Sequence, residues 1–222
     1  MKFDFSGKSV VVTGVAGILG QTVANAFHEA SAHVIGIDLA RTDAIYETIE
    51  LDLTNHEECV NTFDSIPQID VLCNIAGGFV MGESVAELSD ETWDFMMDIN
   101  VRTCLNAVRA TVPKLRERGG KIVNVGARAA LKGAGRMAAY CASKSVVIRL
   151  TESLAEELKR EKINVNCVLP SIIDTPRNRK DMPNTDFGSW VAPDDLAKVV
   201  LFLSSPLAEP IHGATIPVDG LV

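Results

Sequence analysis

Long apolar runs are missing from this chain. Although 47% of its 222 residues are hydrophobic, no stretch approaches the roughly 20 consecutive apolar residues of a membrane span. The hydrophobicity therefore points to one sizeable buried core and excludes a bilayer protein. An apolar signal core is missing too, since MKFDFSGKSVVVTG carries an acid at position 4, and a cytoplasmic protein is expected. Basic runs are scarce. With a net charge of −8 and one short cluster, RNRK at 177–180, a general nucleic-acid role is excluded; that cluster is assigned to a loop or to an anionic substrate. Paired metal ligands are also lacking: the five cysteines (59, 73, 104, 141, 167) and four histidines (28, 33, 56, 212) are dispersed. They read as reduced thiols and ordinary imidazoles, so neither a disulfide framework nor a metal site is expected. Cys141 adjoins Tyr140 but leaves a helix on a different side. No repeat, low-complexity tract or linker interrupts residues 1–222, which are predicted to form a single domain.

What the chain does contain is a regular alternation. Strand-type segments fall near 8–13, 33–37, 48–51, 69–73, 120–125, 163–168 and 213–217, and helical periodicity falls near 18–31, 55–65, 89–116, 137–161 and 193–204. About seven strands separated by crossovers predict an α/β, Rossmann-type doubly wound parallel sheet with helices on both faces. Ligands then bind at the carboxyl ends of the strands. Asn55 and Ser89 are expected N-caps, and Gly119 and Gly120 follow a basic last turn.

The first strand runs into Gly14, Gly17 and Gly20 of TGVAGILG, after which Leu19, Val23, Phe27 and Ala30 repeat at helical spacing. Glycines permit a tight turn and close backbone approach to a pyrophosphate, which the positive end of the following helix holds. The second strand ends on Asp38. A carboxylate there can bind the ribose hydroxyls of NAD(H) and repels the 2′-phosphate of NADP(H); no basic residue follows until Arg41. NAD(H) is the expected cofactor, with NADP(H) second. Further along, Tyr140 and Lys144 in AAYCASK share one helix face. A neighbouring ammonium favours the phenolate, so Lys144 is expected to lower the pKa of Tyr140 and make it a proton donor and acceptor.

These motifs, with Asp52 in LDLT, NIAG at 74–77, Asn100 in MMDIN, IVNV at 122–125, Pro170 with Thr175, and PVDG at 217–220, resemble the short-chain dehydrogenase/reductase superfamily over nearly the whole chain. The resemblance implies Tyr140, Lys144 and Asn100 as catalytic residues. In it Lys144 also holds the nicotinamide ribose and Asn100 positions a water that relays protons. It implies cofactor contacts from Gly14, Ala16, Gly17, Ile18 and Gly20 at the turn and from Asp38 and Leu39. Asp52 and Leu53 would meet adenine, Asn74, Ala76 and Gly77 would support the sheet beside the cofactor, and Ile173 and Thr175 would reach the carboxamide or pyrophosphate. A substrate loop near 171–192 and a homodimer or homotetramer on the long helices complete the expectation.

Two departures stand out. The middle glycine sits at 17, with Ile18 where compact members carry glycine. The family's catalytic serine, thirteen residues before the tyrosine, is Ala127. Deleting one such donor typically costs about 2.7 to 4 kcal/mol, so a weakened enzyme, an already electrophilic substrate or a substitute donor such as Arg128 must follow. The stretch 172–190 and the serine-free GARAAL run are similar to dihydropteridine reductase, whose quinonoid substrate needs little polarisation. The rival reading is a catalytically silent dinucleotide-binding sensor or scaffold.

Overall fold

The computed structural model describes residues 3–222, so the first two residues of the expected domain lie outside it. Seven strands form one sheet: β1 (Ser9–Thr13), β2 (His33–Asp38), β3 (Glu47–Glu50), β4 (Val71–Asn74), β5 (Gly120–Val125), β6 (Ile163–Pro170) and β7 (Thr215–Val218). All pair in parallel in the order β3-β2-β1-β4-β5-β6-β7. Central strands of such a sheet are covered on both faces, which is why β1 and β6 are buried along their whole lengths; β1 reads as a near-continuous apolar run, and β6 interrupts its own with the buried Asn164 and Asn166. The order reverses on either side of β1, and the crevice between β1 and β4 opens at their carboxyl ends.

The covering helices are α1 (Ile18–Glu29), α2 (His56–Ser65), α3 (Asp90–Met97), α4 (Thr103–Leu115), α5 (Ala138–Leu158), α6 (Pro176–Asp181) and α7 (Pro193–Ser204). On one face Val23 and Phe27 of α1 pack with Leu196, Val200 and Leu203 of α7, and Phe5 meets Phe27 edge-on at 4.8 Å. On the other, Phe63, Leu115 and Leu158 cover Leu72 and Ile122. Each fully buried side chain of this size contributes about 1.5–3 kcal/mol. Asn55 accepts hydrogen bonds from the Glu57 and Glu58 amides at the start of α2, and Ser89 accepts one from the Thr92 amide at the start of α3. Both caps are where the sequence puts them.

The structure corrects two expectations. The helix expected over 89–116 is broken by a π-helical turn, Asp98–Arg102, between α3 and α4, and a π-bulge of this kind redirects the side chains it carries. The segment 171–192 is not a plain loop. It contains α6, capped by Thr175 and opened by Pro176, and it is tied back to itself by the Ile173–Val191 bridge.

Candidate active site

The glycine turn has two obligate positions. Gly14 takes φ +76°, and a Cβ there would stand 2.7 Å from the Ala76 nitrogen; a Cβ on Gly20 would stand 2.0 Å from the Gly14 carbonyl oxygen. Gly17 is less constrained and serves as N-cap of α1 without any side-chain cap. The first amides of α1 therefore remain available to an anion, and the first turn carries no acid to oppose one. Ile18, in the place of the usual glycine, is the first residue of α1 and is exposed. The Asp38 carboxylate is fixed beside this turn, accepting from the Ala16 amide at 2.9 Å and the Ala40 amide at 3.1 Å. Leu39 next to it is exposed.

Asp52 accepts both the Thr54 amide (2.8 Å) and its hydroxyl (2.7 Å) on one carboxylate oxygen. Leu53 has its side chain buried in the core beneath α2 and α4, and its carbonyl accepts the Asn106 side-chain amide at 2.9 Å, which leaves its own amide to meet a ligand. Thr13, absent from the expected set, fastens the next segment by accepting the Ile75 amide (3.0 Å) and the Ala76 amide (3.1 Å). Asn74 donates to the Asn124 Oδ1 at 2.8 Å, and the Asn124 amide donates to the Thr151 hydroxyl at 2.9 Å. This buried chain ties β4 and β5 to α5. Ile173 gives its carbonyl to the Asn178 side chain at 2.8 Å, while the Thr175 hydroxyl caps α6.

At the centre the π-turn delivers Asn100, only 1% exposed. Its Oδ1 accepts the Gly78 amide (3.0 Å) and its Nδ2 donates to the Gly78 carbonyl (3.1 Å) and to the Ser143 hydroxyl (3.2 Å). Ser143 in turn donates to the Tyr140 carbonyl at 2.9 Å. Sequence reasoning missed Ser143, although its place three residues after Tyr140 puts it on the same helix face. Gly77 makes the approach possible. A Cβ there would lie 2.7 Å from the Asn100 Oδ1 and 3.1 Å from the Lys144 Nζ. Lys144 is 6% exposed, and its ammonium donates to the Val125 carbonyl at 2.8 Å.

The expected depression of the Tyr140 pKa is not found. Burial, and secondarily Cys141, push the phenol up to about 12, and Lys144 is itself lowered, chiefly by burial. The dry surroundings that hold the two groups penalise both charges. Tyr140 is thus kept as the protonated phenol, the form that donates.

Ala127 is 4% exposed at the end of β5. The serine hydroxyls of the adjoining segments are bonded to backbone carbonyls: Ser145 donates to those of Ala130 and Cys141, and Ser171 to that of Asp219. Arg128 lies with its Nε 3.2 Å from the Asp219 carboxylate. In the basic cluster, Arg179 is bonded twice to Asp174, at 2.6 and 2.7 Å, so most of its charge is already met.

A glycine turn, an acid at the end of β2 and a tyrosine-lysine-asparagine cluster at the carboxyl ends of β4 and β5 now stand in one crevice. A model of the short chain dehydrogenase family matches residues 8–186. The chain belongs to that family. It is an oxidoreductase of the short-chain, nicotinamide-nucleotide type. The 3-oxoacyl-[acyl-carrier-protein] reductase FabG of Rickettsia felis is 32% identical, the match covering 98% of this chain and 97% of that protein. The ligand-free aldohexose dehydrogenase of Thermoplasma acidophilum superposes with a TM-score of 0.90 at 29% identity, over 98% of this chain and 94% of its own. A Beutenbergia cavernae structure assigned as a gluconate 5-dehydrogenase, with bound NADP, gives 0.90 at 26% identity, over 99% and 98%. Among the described residues no group of three or more His, Cys, Asp or Glu could hold a metal ion, and no helix is long and apolar enough to cross a membrane.

Proposed function

We propose that this short-chain oxidoreductase is an NADH-dependent reductase of a small substrate that is already electrophilic, a quinonoid ring or an activated carbonyl, with Tyr140 as proton donor. The observation that carries the reading is the buried Ala127 methyl where the family has its serine, with the nearby serine hydroxyls bonded elsewhere. A polarising donor matters most where charge builds on a carbonyl oxygen. An activated acceptor does without it. The local similarity of 172–190 to dihydropteridine reductase supports a quinonoid dihydropterin as first candidate, with an activated quinone or diketone next.

The residues fit a dinucleotide. The uncapped start of α1, reached through Gly14 and Gly20, would hold the pyrophosphate. Asp38, already oriented by Ala16, would take the ribose hydroxyls and exclude a 2′-phosphate. NADP remains the alternative that the Beutenbergia relative carries. Asp52 and the Leu53 backbone would meet the adenine, and Ile173 and Thr175 the carboxamide end. A nicotinamide held there would supply the hydride for the electrophilic atom. The Tyr140 hydroxyl gives its proton to the adjacent heteroatom, so the substrate gains two electrons and two hydrogens. Lys144 would hold the ribose, and Asn100 would support the proton path that restores the phenol. These three residues argue against a silent sensor, which needs a cofactor pocket but no acid. A homodimer or homotetramer on the segments 89–116 (α3 and α4) and 137–161 (α5) and a cytoplasmic location complete the reading; the five free, buried cysteines support a reducing compartment.

NADH oxidation measured against simple ketones, quinones and quinonoid dihydropterin tests it. The native protein should reduce the activated substrates, and Ala127→Ser should leave those rates nearly unchanged while raising activity on simple ketones by up to roughly 100-fold. Efficient reduction of unactivated ketones by the native protein, with no gain from Ala127→Ser, would overturn it and make Arg128 the next residue to change.

A further inference from the structure

Beyond the catalytic cluster, the connection between β4 and α3 holds an unusual concentration of exposed apolar side chains: Phe79, Val80, Met81 and Val85. Apolar surface of this density on one short segment marks a contact surface. Phe79 is the member that reaches the chemistry. Its ring stands edge-to-face with Tyr140, centroids 4.8 Å apart and planes at 87°, yet it stays 40% exposed. Its position is not accidental, because the preceding Gly78 is clamped through both its amide and its carbonyl by Asn100. The same side chain that organises the proton path therefore fixes the backbone from which Phe79 projects. A substrate atom that takes a proton from the Tyr140 hydroxyl lies beside that ring.

We infer that Phe79 is a specificity-determining residue: its ring is a fixed wall of the substrate site that selects flat, conjugated substrates over small aliphatic ones. The inference rests on the reductase reading above and deepens it by naming the substrate shape. Three physical features support the wall. Aromatic pairs gain about 0.5–1.5 kcal/mol beyond their buried area, so a planar ring is favoured over an alkyl group of equal size. Beside it the segment offers shape more than polarity, since Val80 and Met81 are apolar, Glu83 accepts the Ser89 amide and Arg136 donates to the Gly82 carbonyl. Finally, a wall already braced by Tyr140 costs little further ordering when substrate arrives.

Two 1,2-diketones with the same reacting group separate shape from chemistry: planar 9,10-phenanthrenequinone and aliphatic 2,3-butanedione. The variants are Phe79→Leu, which keeps apolar bulk, and Phe79→Ala. NADH affinity and melting temperature, measured alongside, should stay at native values because the side chain is half open to solvent. For Phe79→Leu, kcat/KM on phenanthrenequinone should fall about tenfold, mostly through KM, while that on butanedione changes less than threefold. Equal losses on both diketones would show that Phe79 only holds Tyr140 in place, and no loss on either would show that it is no wall; both results overturn the inference. Calorimetric binding of phenanthrenequinone to the protein with NAD+ gives a readout independent of turnover. If the native protein binds the planar diketone but reduces neither one, the reductase reading fails by itself, and a tenfold weaker binding in Phe79→Leu still supports the wall. Unchanged or undetectable binding overturns it.

Discussion

Strand β5 meets a buried lysine at each end, and the two are treated differently. At its amino end Lys121, 9% exposed, donates to the Asn164 Oδ1 at 2.6 Å and to the Glu209 carboxylate at 2.9 Å. Asn164 passes its amide on to the carbonyls of Glu209 and Ile211, so the cation closes a complete network. At the carboxyl end Lys144 has the Val125 carbonyl and, among the described residues, no carboxylate partner. Burial lowers its pKa. A buried charge is normally retained with a counter-ion. Withholding one at the crevice end costs stability and leaves the ammonium for a ligand, whereas supplying one at the far end spends the charge on the fold. One sheet thus keeps a structural and a functional pole, and the difference between them can be broken experimentally.

The largest effects belong to the crevice pole. Tyr140→Phe keeps the ring and its contact with Phe79 but removes the acid, so turnover should drop by roughly 100-fold or more with NADH affinity little changed. Lys144→Met should lose turnover and NADH affinity together, yet melt no lower than the native protein because an unpaired buried charge has been removed. A Tyr140→Phe protein that is fully active on a substrate the native chain reduces, or a Lys144→Met protein that unfolds, would erase the distinction.

At the far pole the signs reverse. Lys121→Met orphans the Asn164 Oδ1, which costs about 1–3 kcal/mol, while Glu209, mostly exposed, returns to water. Urea denaturation should show the loss, and kcat/KM should be nearly native. A drop in turnover without loss of stability would mean that Lys121 also serves the reaction.

These two poles were unequally legible in the sequence. Strand positions were readable within one or two residues because buried parallel strands such as β1 carry β-branched apolar runs. Tyr140 and Lys144 could be placed on one helix face from their four-residue spacing, whereas Asn100 was reached only through the resemblance carried by MMDIN. The π-turn at 98–102 was not, since it is set by contacts of Asn100 with Gly78 and Ser143 across long sequence separations. Phe79 was missed for a related reason: nothing in its neighbours' periodicity says that it will meet a ring 61 residues on. The Tyr140 pKa was read with the wrong sign, because one-dimensional spacing shows the approach of a cation and not the burial that comes with it.

A smaller effect is expected where cofactor meets protein. NADH should bind at least tenfold more tightly than NADPH, about 1.4 kcal/mol, and Asp38→Ala should shrink that ratio by freeing the Ala16 amide and removing the repelling charge. Calorimetric titration decides it, and equal affinities in the native protein would reject the assignment to NAD.

The smallest prediction concerns a second ion pair at the amino end of the sheet. Asp70 accepts the Ser9 amide at 2.9 Å, the Gln68 side chain at 2.6 Å and the Lys8 ammonium at 3.0 Å. Burial opposes its charge, but the Ser9 amide, Gln68 and Lys8 together outweigh it and hold its carboxyl below the ordinary range. A carboxyl depressed on folding adds stability that is fully present above its unfolded pKa, near 4, and that is lost as pH falls through the folded value. Lys8 is more than half exposed, so screening keeps its share small, and the bonds to Ser9 and Gln68 dominate. Asp70→Asn should therefore cost on the order of 1 kcal/mol at pH 7, and the deficit relative to the native protein should shrink once the pH falls below about 4. The experiment is a set of urea curves for both proteins at pH 7 and pH 3.5. A deficit that is the same at both would assign the loss to packing and not to the charge, and the far pole would then owe its stability to Lys121 and its partners alone.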